Sequence, residues 1–442
     1  MRRNAASVVL LIVAMLILGP RAAVAADADG DVNSLGLTAT YDVAANFSWT
    51  NRTVSVETSA IVTNATRWTA GKLAFNLATL RTGRATVNRL TVDGAPVEPT
   101  VDDQTLIVNA PAPLAPGASV SVFIAYDARL NASTSPEGDA GEFALIDDVL
   151  TAYRWIPWLS RTTPFDRPNV GDPFVTANSP RIHVEITSDR DAEWATSGVE
   201  AARLGTTRAF DAENVRDFNL AASPSYRARS ANVGDTKITF FHRTLPPDEV
   251  LATAARALRS FGERVGTYPY PELTIAEIGR WAPFESPAHF WLPSDAPPRL
   301  LSWMVAHEVA HQWFYAVVGN DQAREPFADE AVADYMARTL VNRFADTRCP
   351  TGRLDPSIYD IGDCYAWVVY VQGVDWFREL PEAAVWQALR DYYDTHRWGL
   401  GDTRSVLGAL AAAGAVEPSD LGRFPSKLVP LLRTLPVGRL LI

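Results

Sequence analysis

The sequence predicts an α+β chain in two domains: a β-sandwich-like domain, then a mostly helical domain with a small sheet. The hydrophobic period switches near residue 225, from the alternation of strands to the spacing of helices. The length of 442 residues exceeds what one ordinary domain holds. A composition of 47% hydrophobic and 21% charged residues supports packed cores rather than disorder.

From Leu35 to about Ala222 short alternating runs dominate, among them Val54 to Val62, Leu106 to Val108, Val120 to Tyr126 and Ile182 to Ile186. Clusters of Gly, Pro, Asn and Asp separate them, as in all-β domains. Helix-type spacing follows over Val250 to Val265, Leu301 to Val318, Phe327 to Phe344, Tyr365 to Leu380 and Ala383 to Tyr393. Between the first two lies Tyr268-Pro-Tyr-Pro271 and then a strand from Leu273 to Ile278. The expected units are a signal peptide at 1–25, the β domain at 26–225, the second domain at 226–415 and a short tail at 416–442. Pro425, Pro430 and Pro436 interrupt that tail.

The chain begins with Met-Arg-Arg, an 11-residue apolar run from Val8 to Leu18, and Ala23-Val24-Ala25. This is the pattern of a secretory signal peptide cleaved near Ala25. The run is far short of the roughly 20 residues that span a bilayer, which disfavours an uncleaved anchor. Export to the periplasm, the cell surface or the medium follows, with no membrane span once the signal is gone. Cleavage moves the formal charge from −11 to −14, an acidic balance that argues against nucleic acid as a partner. Cys349 and Cys364 have 14 residues between them, and in an exported chain they read as one disulfide closing a surface loop, contributing about 3 kcal/mol. Two thiolate zinc ligands would call for a Cys-x-x-Cys spacing and a second pair. Asn46, Asn51, Asn64 and Asn131 each head an Asn-x-Ser/Thr sequon.

The central chemical signal is His307-Glu308-Val309-Ala310-His311 within an apolar helix. Residues four apart stand one turn above each other, so both imidazoles can reach one Zn²⁺, and Glu308 lines the same cavity. Catalytic zinc takes three protein ligands and keeps an open position for water. The helix from Phe327 offers Glu330 and Asp334 as the third. Glu330 is assigned as ligand for its longer arm, and Asp334 as a residue that orients an imidazole. Glu325, on the turn ahead of that helix, is a further candidate for the supporting role.

His307-Glu-Val-Ala-His-Gln-Trp-Phe314, the gap to Glu330, and Asp329-Glu-Ala-Val-Ala-Asp-Tyr335 resemble the aminopeptidase N and leukotriene hydrolase family of gluzincin zinc metallopeptidases. That resemblance implies a thermolysin-like catalytic domain and peptide substrates. The family carries a Gly-Ala-Met-Glu-Asn segment on an edge strand, whose Glu binds the substrate's free α-amine. Here Ala282-Pro-Phe-Glu285-Ser286 stands in its place, which implies that role for Glu285. Tyr370-Val-Gln-Gly373 resembles the family's Tyr-x-Lys-Gly segment and implies Tyr370 as donor to the developing oxyanion. A second amine-binding residue precedes a Pro in the N-terminal domain of the family, and Asp148, ahead of Pro157, is the candidate. Phe284 replaces the family's Met near the first side-chain pocket and implies a preference for smaller residues. The resemblance runs to about Ala413 and lacks the large helical domain that caps many relatives.

The implied activity is zinc-dependent removal of N-terminal residues from peptides, with Glu308 as general base. Two rivals stay in play. Glu330-Ala-Val-Ala-Asp334 also resembles the corresponding helix of thermolysin-like endopeptidases. An exported, catalytically silent binding protein could keep the same fold, with Ala282, Ser286 and Ala331 as its departures from the family pattern.

Overall fold

The computed structural model describes residues 32–133, 141–162, 175–279, 283–342, 348–361, 364–417 and 419–425. The expected signal peptide and Ala282 lie outside the described residues.

The β domain is built on an eight-stranded sheet centred on Thr38–Ser48, Thr53–Thr63 and Ser119–Arg129. Thr38–Ser48 pairs antiparallel with Thr53–Thr63 and parallel with Ser179–Ser188. Alternation sends Tyr41, Val43, Ala45 and Phe47 to the buried face, as the pleat of a half-covered strand requires. Two four-stranded sheets cover that face. Tyr41 stacks on Trp158 of one at 4.4 Å between ring centres, and Phe47 meets Trp194 of the other at 5.7 Å. The sandwich-like core is therefore closed by aromatic pairs.

The second domain opens with a five-stranded sheet in the order Arg227–Val233, Thr236–His242, Glu272–Ile278, His289–Pro293 and Phe284–Ser286. Its last strand is an antiparallel edge. Pro247–Arg264 and Pro298–Ala310 each place a proline in the first turn, where no amide hydrogen bond is lost. Pro298–Ala310 buries Leu301, Val305, Ala306, Val309 and Ala310 and carries apolar residues over most of its surface, as a central helix must.

Two details differ from the sequence expectation. The helix carrying His307 ends at Ala310, and the apolar run that follows is a buried turn. A short apolar run covered on all sides cannot be told from helix by periodicity alone. The segments carrying Glu330 and Tyr370 are π-helical, over Phe327–Ala331 and Val368–Gly373. The described part of the tail packs onto the second domain, with Phe424 fully buried and edge-on to Phe327 at 4.8 Å. Cys349 and Cys364 form the expected disulfide, with Cα atoms 5.8 Å apart. Among the described residues no helix is long and apolar enough to cross a membrane. Of the sequons, Asn64 is fully buried and its amide donates to the carbonyls of Trp68 and Leu114 at 2.6 and 2.8 Å.

A His-His-Glu centre with a buried acid and an edge-strand carboxylate

The helix Pro298–Ala310 places His307 and Glu308 on its last turn, and His311 caps it. The π-helical turn brings Glu330 across from them. The Nε2 atoms of His307 and His311 are 3.1 Å apart, and Glu330 Oε2 lies 3.1 Å from the first and 3.3 Å from the second. These three edges nearly match the roughly 3.3 Å edge of a tetrahedral zinc site with ligands at about 2.0–2.1 Å. Two imidazole nitrogens and one carboxylate oxygen also form the donor set that zinc prefers. The residues therefore fit the ion.

Charge around the triangle favours a cation. Burial works to raise the Glu330 carboxyl, but His311 and His307 beside it hold it far below the ordinary carboxylate range. The imidazoles have carboxylate neighbours of their own. Asp329 Oδ1 lies 2.9 Å from His311 Nδ1, which also faces the Phe314 carbonyl at 3.0 Å. Asp334 Oδ1 lies 3.9 Å from His307 Nδ1, beyond hydrogen-bond reach. Asp334 is fixed by Trp303 Nε1 at 2.5 Å and Arg338 Nη2 at 2.9 Å.

Glu308 is buried, and its Oε2 has no hydrogen-bond partner among the described residues. Burial and the nearby carboxylates of Glu285, Glu330 and Asp329 raise its proton affinity well above normal, with His311 opposing. A buried, unsatisfied carboxyl oxygen costs stability, and such groups gather where proton transfer is the task.

Tyr370 reaches the triangle from the other side. Its ring centre lies 5.7 Å from that of His307, and its hydroxyl interacts with Glu330 and Tyr365. Its helix comes this close because it crosses the Glu330 turn at Gly373, where a Cβ would sit 2.9 Å from that of Ala331. Arg338 donates to the Tyr370 carbonyl and so joins this segment to Asp334.

Glu285 stands on the edge strand Phe284–Ser286. Gln312 ties that strand to the zinc-site turn: its Oε1 accepts from Ala288 N and its Nε2 donates to the Ser286 carbonyl, both at 2.9 Å. Burial, with Glu330 and Asp329 adding to it, raises the Glu285 carboxyl to about 7, although His311 pulls the other way. Gln322 donates to Glu285 Oε1 at 2.5 Å and accepts from Arg154 Nη2 at 2.8 Å. Arg154 also donates to the hydroxyl of Tyr315, which in turn donates to Asp217. Tyr315 has φ +141°, a conformation that costs a bulky residue about 1–3 kcal/mol and persists only where its surroundings hold it.

Two further candidates, Asp148 for amine binding and Glu325 for support, have partners of their own. Asp148 occupies a tight hairpin turn at φ +60°, and its half-exposed carboxylate pairs with Arg190 at 2.9 Å. That carboxylate is thus taken up by Arg190. The Glu325 carboxylate accepts from Thr403 N at 3.3 Å and links the helix Thr403–Ala412 to the turn before Glu330. Asp329, next to the ligand in sequence, is the acid that meets His311. Gln322 and Arg154 had no periodic signal to mark them, and Tyr315 and Tyr365 stood in runs read only as helix. The turn after His311 is further locked by Arg216 of the β domain, a buried guanidinium donating to the carbonyls of Ala316, Val317 and Gly399 at 3.1–3.3 Å.

This architecture is the fold of the M1 zinc metallopeptidases. A glutamate-to-alanine variant of the Deinococcus radiodurans M1 zinc metallopeptidase bound to a Tyr-Ser-Ala substrate superposes with a TM-score of 0.67 and 17% identity, over 92% of this chain and 97% of that one. The same enzyme solved without a named substrate gives 0.65 and 16% over the same shares. A two-domain M1 zinc metallopeptidase bound to L-arginine gives 0.67 and 16%, over 90% of this chain and 95% of that one. No family model and no curated protein matches the chain by sequence.

Proposed function

We propose that the chain is an exported zinc-dependent aminopeptidase that releases N-terminal residues from peptides. The observation that carries this reading is the near-tetrahedral triangle of His307, His311 and Glu330, with the buried acid Glu308 on one side and Glu285 on an edge strand. Zinc held by the three ligands would supply Lewis acidity toward the scissile carbonyl and toward water.

The protein's own groups do the rest. Glu308 takes the proton of the attacking water and delivers it to the leaving amine, a task suited to a carboxyl of raised proton affinity. The Tyr370 hydroxyl donates to the oxygen that gains negative charge, and losing one such donor costs about 10²–10³ in turnover. Glu285 pairs with the substrate ammonium and sets the first peptide bond in register with Glu308. Phe284 sits against Tyr153 and Trp291, at 5.1 and 5.9 Å between ring centres, and narrows the space beside Glu285 in favour of small first side chains. Support also comes from the solved M1 enzyme that binds a Tyr-Ser-Ala substrate.

The test is metal content, together with amino-acid release from unblocked peptides, in the parent and in Glu308→Ala. About one zinc per chain, with release abolished in the variant, is expected. Zinc without hydrolysis in the parent would leave a binding protein, and cleavage of internal bonds in amino-blocked peptides would make it an endopeptidase. Export is tested by sequencing the N-terminus of the protein recovered outside the cytoplasm, expected at Ala26.

A further inference from the structure

We propose that Gln322 is the positioning residue of amine recognition: an amide adaptor that holds Glu285 against the fixed charge of Arg154 and so makes the site select peptides with a free N-terminus. The inference rests on the aminopeptidase reading and adds a residue to it.

The geometry is that of a relay. Asp217 Oδ2 lies 3.7 Å from Arg154 Nε, and Asn219 Oδ1 accepts from the Arg154 amide at 2.6 Å. Tyr315 bridges Arg154 and Asp217 through its hydroxyl. The guanidinium, buried and held on several sides, donates to Gln322 Oε1 at 2.8 Å, and Gln322 Nε2 donates to Glu285 Oε1 at 2.5 Å. A guanidinium can only donate and a carboxylate can only accept, so the neighbours fix which end of the amide faces which. Glutamine supplies an acceptor at one end and donors at the other without adding charge.

The indirect link has a chemical advantage. A guanidinium in direct bidentate contact would occupy both Glu285 oxygens and compete with a substrate ammonium for the same charge. Through the amide, the hydrogen bond falls on Oε1 alone, which leaves Oε2 for a substrate ammonium. The strained backbone of Tyr315 fits this role, since its hydroxyl is one of the groups that anchor Arg154.

The experiment uses the full chain in a zinc-loaded Glu308→Gln background, which binds peptide without turning it over. Calorimetry compares Ala-Ala-Ala with its N-acetyl form, and zinc content and melting are recorded for each variant. The parent is expected to prefer the unblocked peptide, and Gln322→Met to lose about 10-fold or more of that preference with zinc content unchanged. Should Gln322→Met fail to fold, the isosteric Gln322→Glu, which cannot donate to Glu285, replaces it with the same expectation. A preference within about twofold of the parent overturns the role of Gln322 and leaves the aminopeptidase reading intact. Loss of preference only together with loss of zinc makes Gln322 structural and also overturns the role. A parent with no preference removes the aminopeptidase reading and this inference with it.

Discussion

Replacing Asp334 by Ala separates stability from metal affinity at the centre. The carboxylate is fully buried, with Arg338 Nη2 at 2.9 Å and the Trp303 indole N–H at 2.5 Å. Removing one member of a buried ion pair costs about 3–5 kcal/mol, because the surviving charge stays desolvated. An indole N–H deprived of its acceptor adds about 1–3 kcal/mol, so about 4–8 kcal/mol is expected in total. In Asp334→Leu with Arg338→Met the stranded charge is gone, and the loss shrinks to about 1–3 kcal/mol. Zinc affinity behaves differently: both variants leave His307 without its neighbouring carboxylate, and both should bind zinc about 10–100-fold more weakly. Urea unfolding of the metal-free protein, followed by tryptophan fluorescence, gives the first quantity, and competition with a chelator gives the second. The pairwise argument fails if Asp334→Ala lies within about 1 kcal/mol of the parent or if the double variant is no more stable than the single one. Unchanged zinc affinity would instead show that Asp334 does not act on His307.

Four further outcomes are expected. His289 is buried, its Nε2 accepts from Trp291 Nε1 at 2.9 Å, and burial lowers its pKa from 6.5 to about 3, with a backbone contact to Thr274 opposing. The unfolded chain therefore takes up the proton first, and stability is lost as pH falls from 6.5 toward 3, by about 1.4 kcal/mol per unit; His289→Gln should flatten urea-derived stability against pH in that window, and an unchanged slope would count against the assignment. Gly373→Ala sets a methyl 2.9 Å from Ala331 and should cost about 1–3 kcal/mol while lowering turnover through Tyr370, whereas wild-type melting would mean that the two turns can part. Phe284→Ala should shift a panel of aminoacyl amides toward larger first residues, and a fixed order would remove Phe284 from that pocket. Cys349→Ser with Cys364→Ser should lower stability by about 3 kcal/mol, and because Gln372 Oε1 accepts from Cys349 N at 2.6 Å, the Tyr370 segment is expected to loosen with the loop, read as faster amide hydrogen exchange over residues 368–373.

The two-domain plan and the metal triangle were legible because each rests on local rules. Alternation marks strands such as Thr53–Thr63, and the spacing of four between His307 and His311 places both on one helical face. Glu330 was within reach of the same reasoning because it opens the next helical segment. The supporting residues obey no such rule. Arg154 and Gln322 meet across 168 residues of sequence, and Tyr315 lies in a turn that periodicity reads as helix. Asp148 shows the converse failure: two adjacent acids in a hairpin turn take their positive φ angles from turn chemistry, and their side chains follow the turn. Asp334 was marked in the sequence as a residue that orients an imidazole, yet it is Asp329 that meets one, His311, at 2.9 Å, while Asp334 stays 3.9 Å from His307.

Arg216 bears on how such a protein can be inherited. Its guanidinium comes from the β domain, yet it occupies the space beside Gly319, where a Cβ would lie 2.1 Å from Nη1, and it satisfies carbonyls that close the turn after His311. A second domain joined by recombination to a foreign β domain would leave those carbonyls buried without a donor. The two halves are therefore not modules that can be exchanged piecemeal. Variation is freest in the loops that leave Arg216 and its acceptors in place.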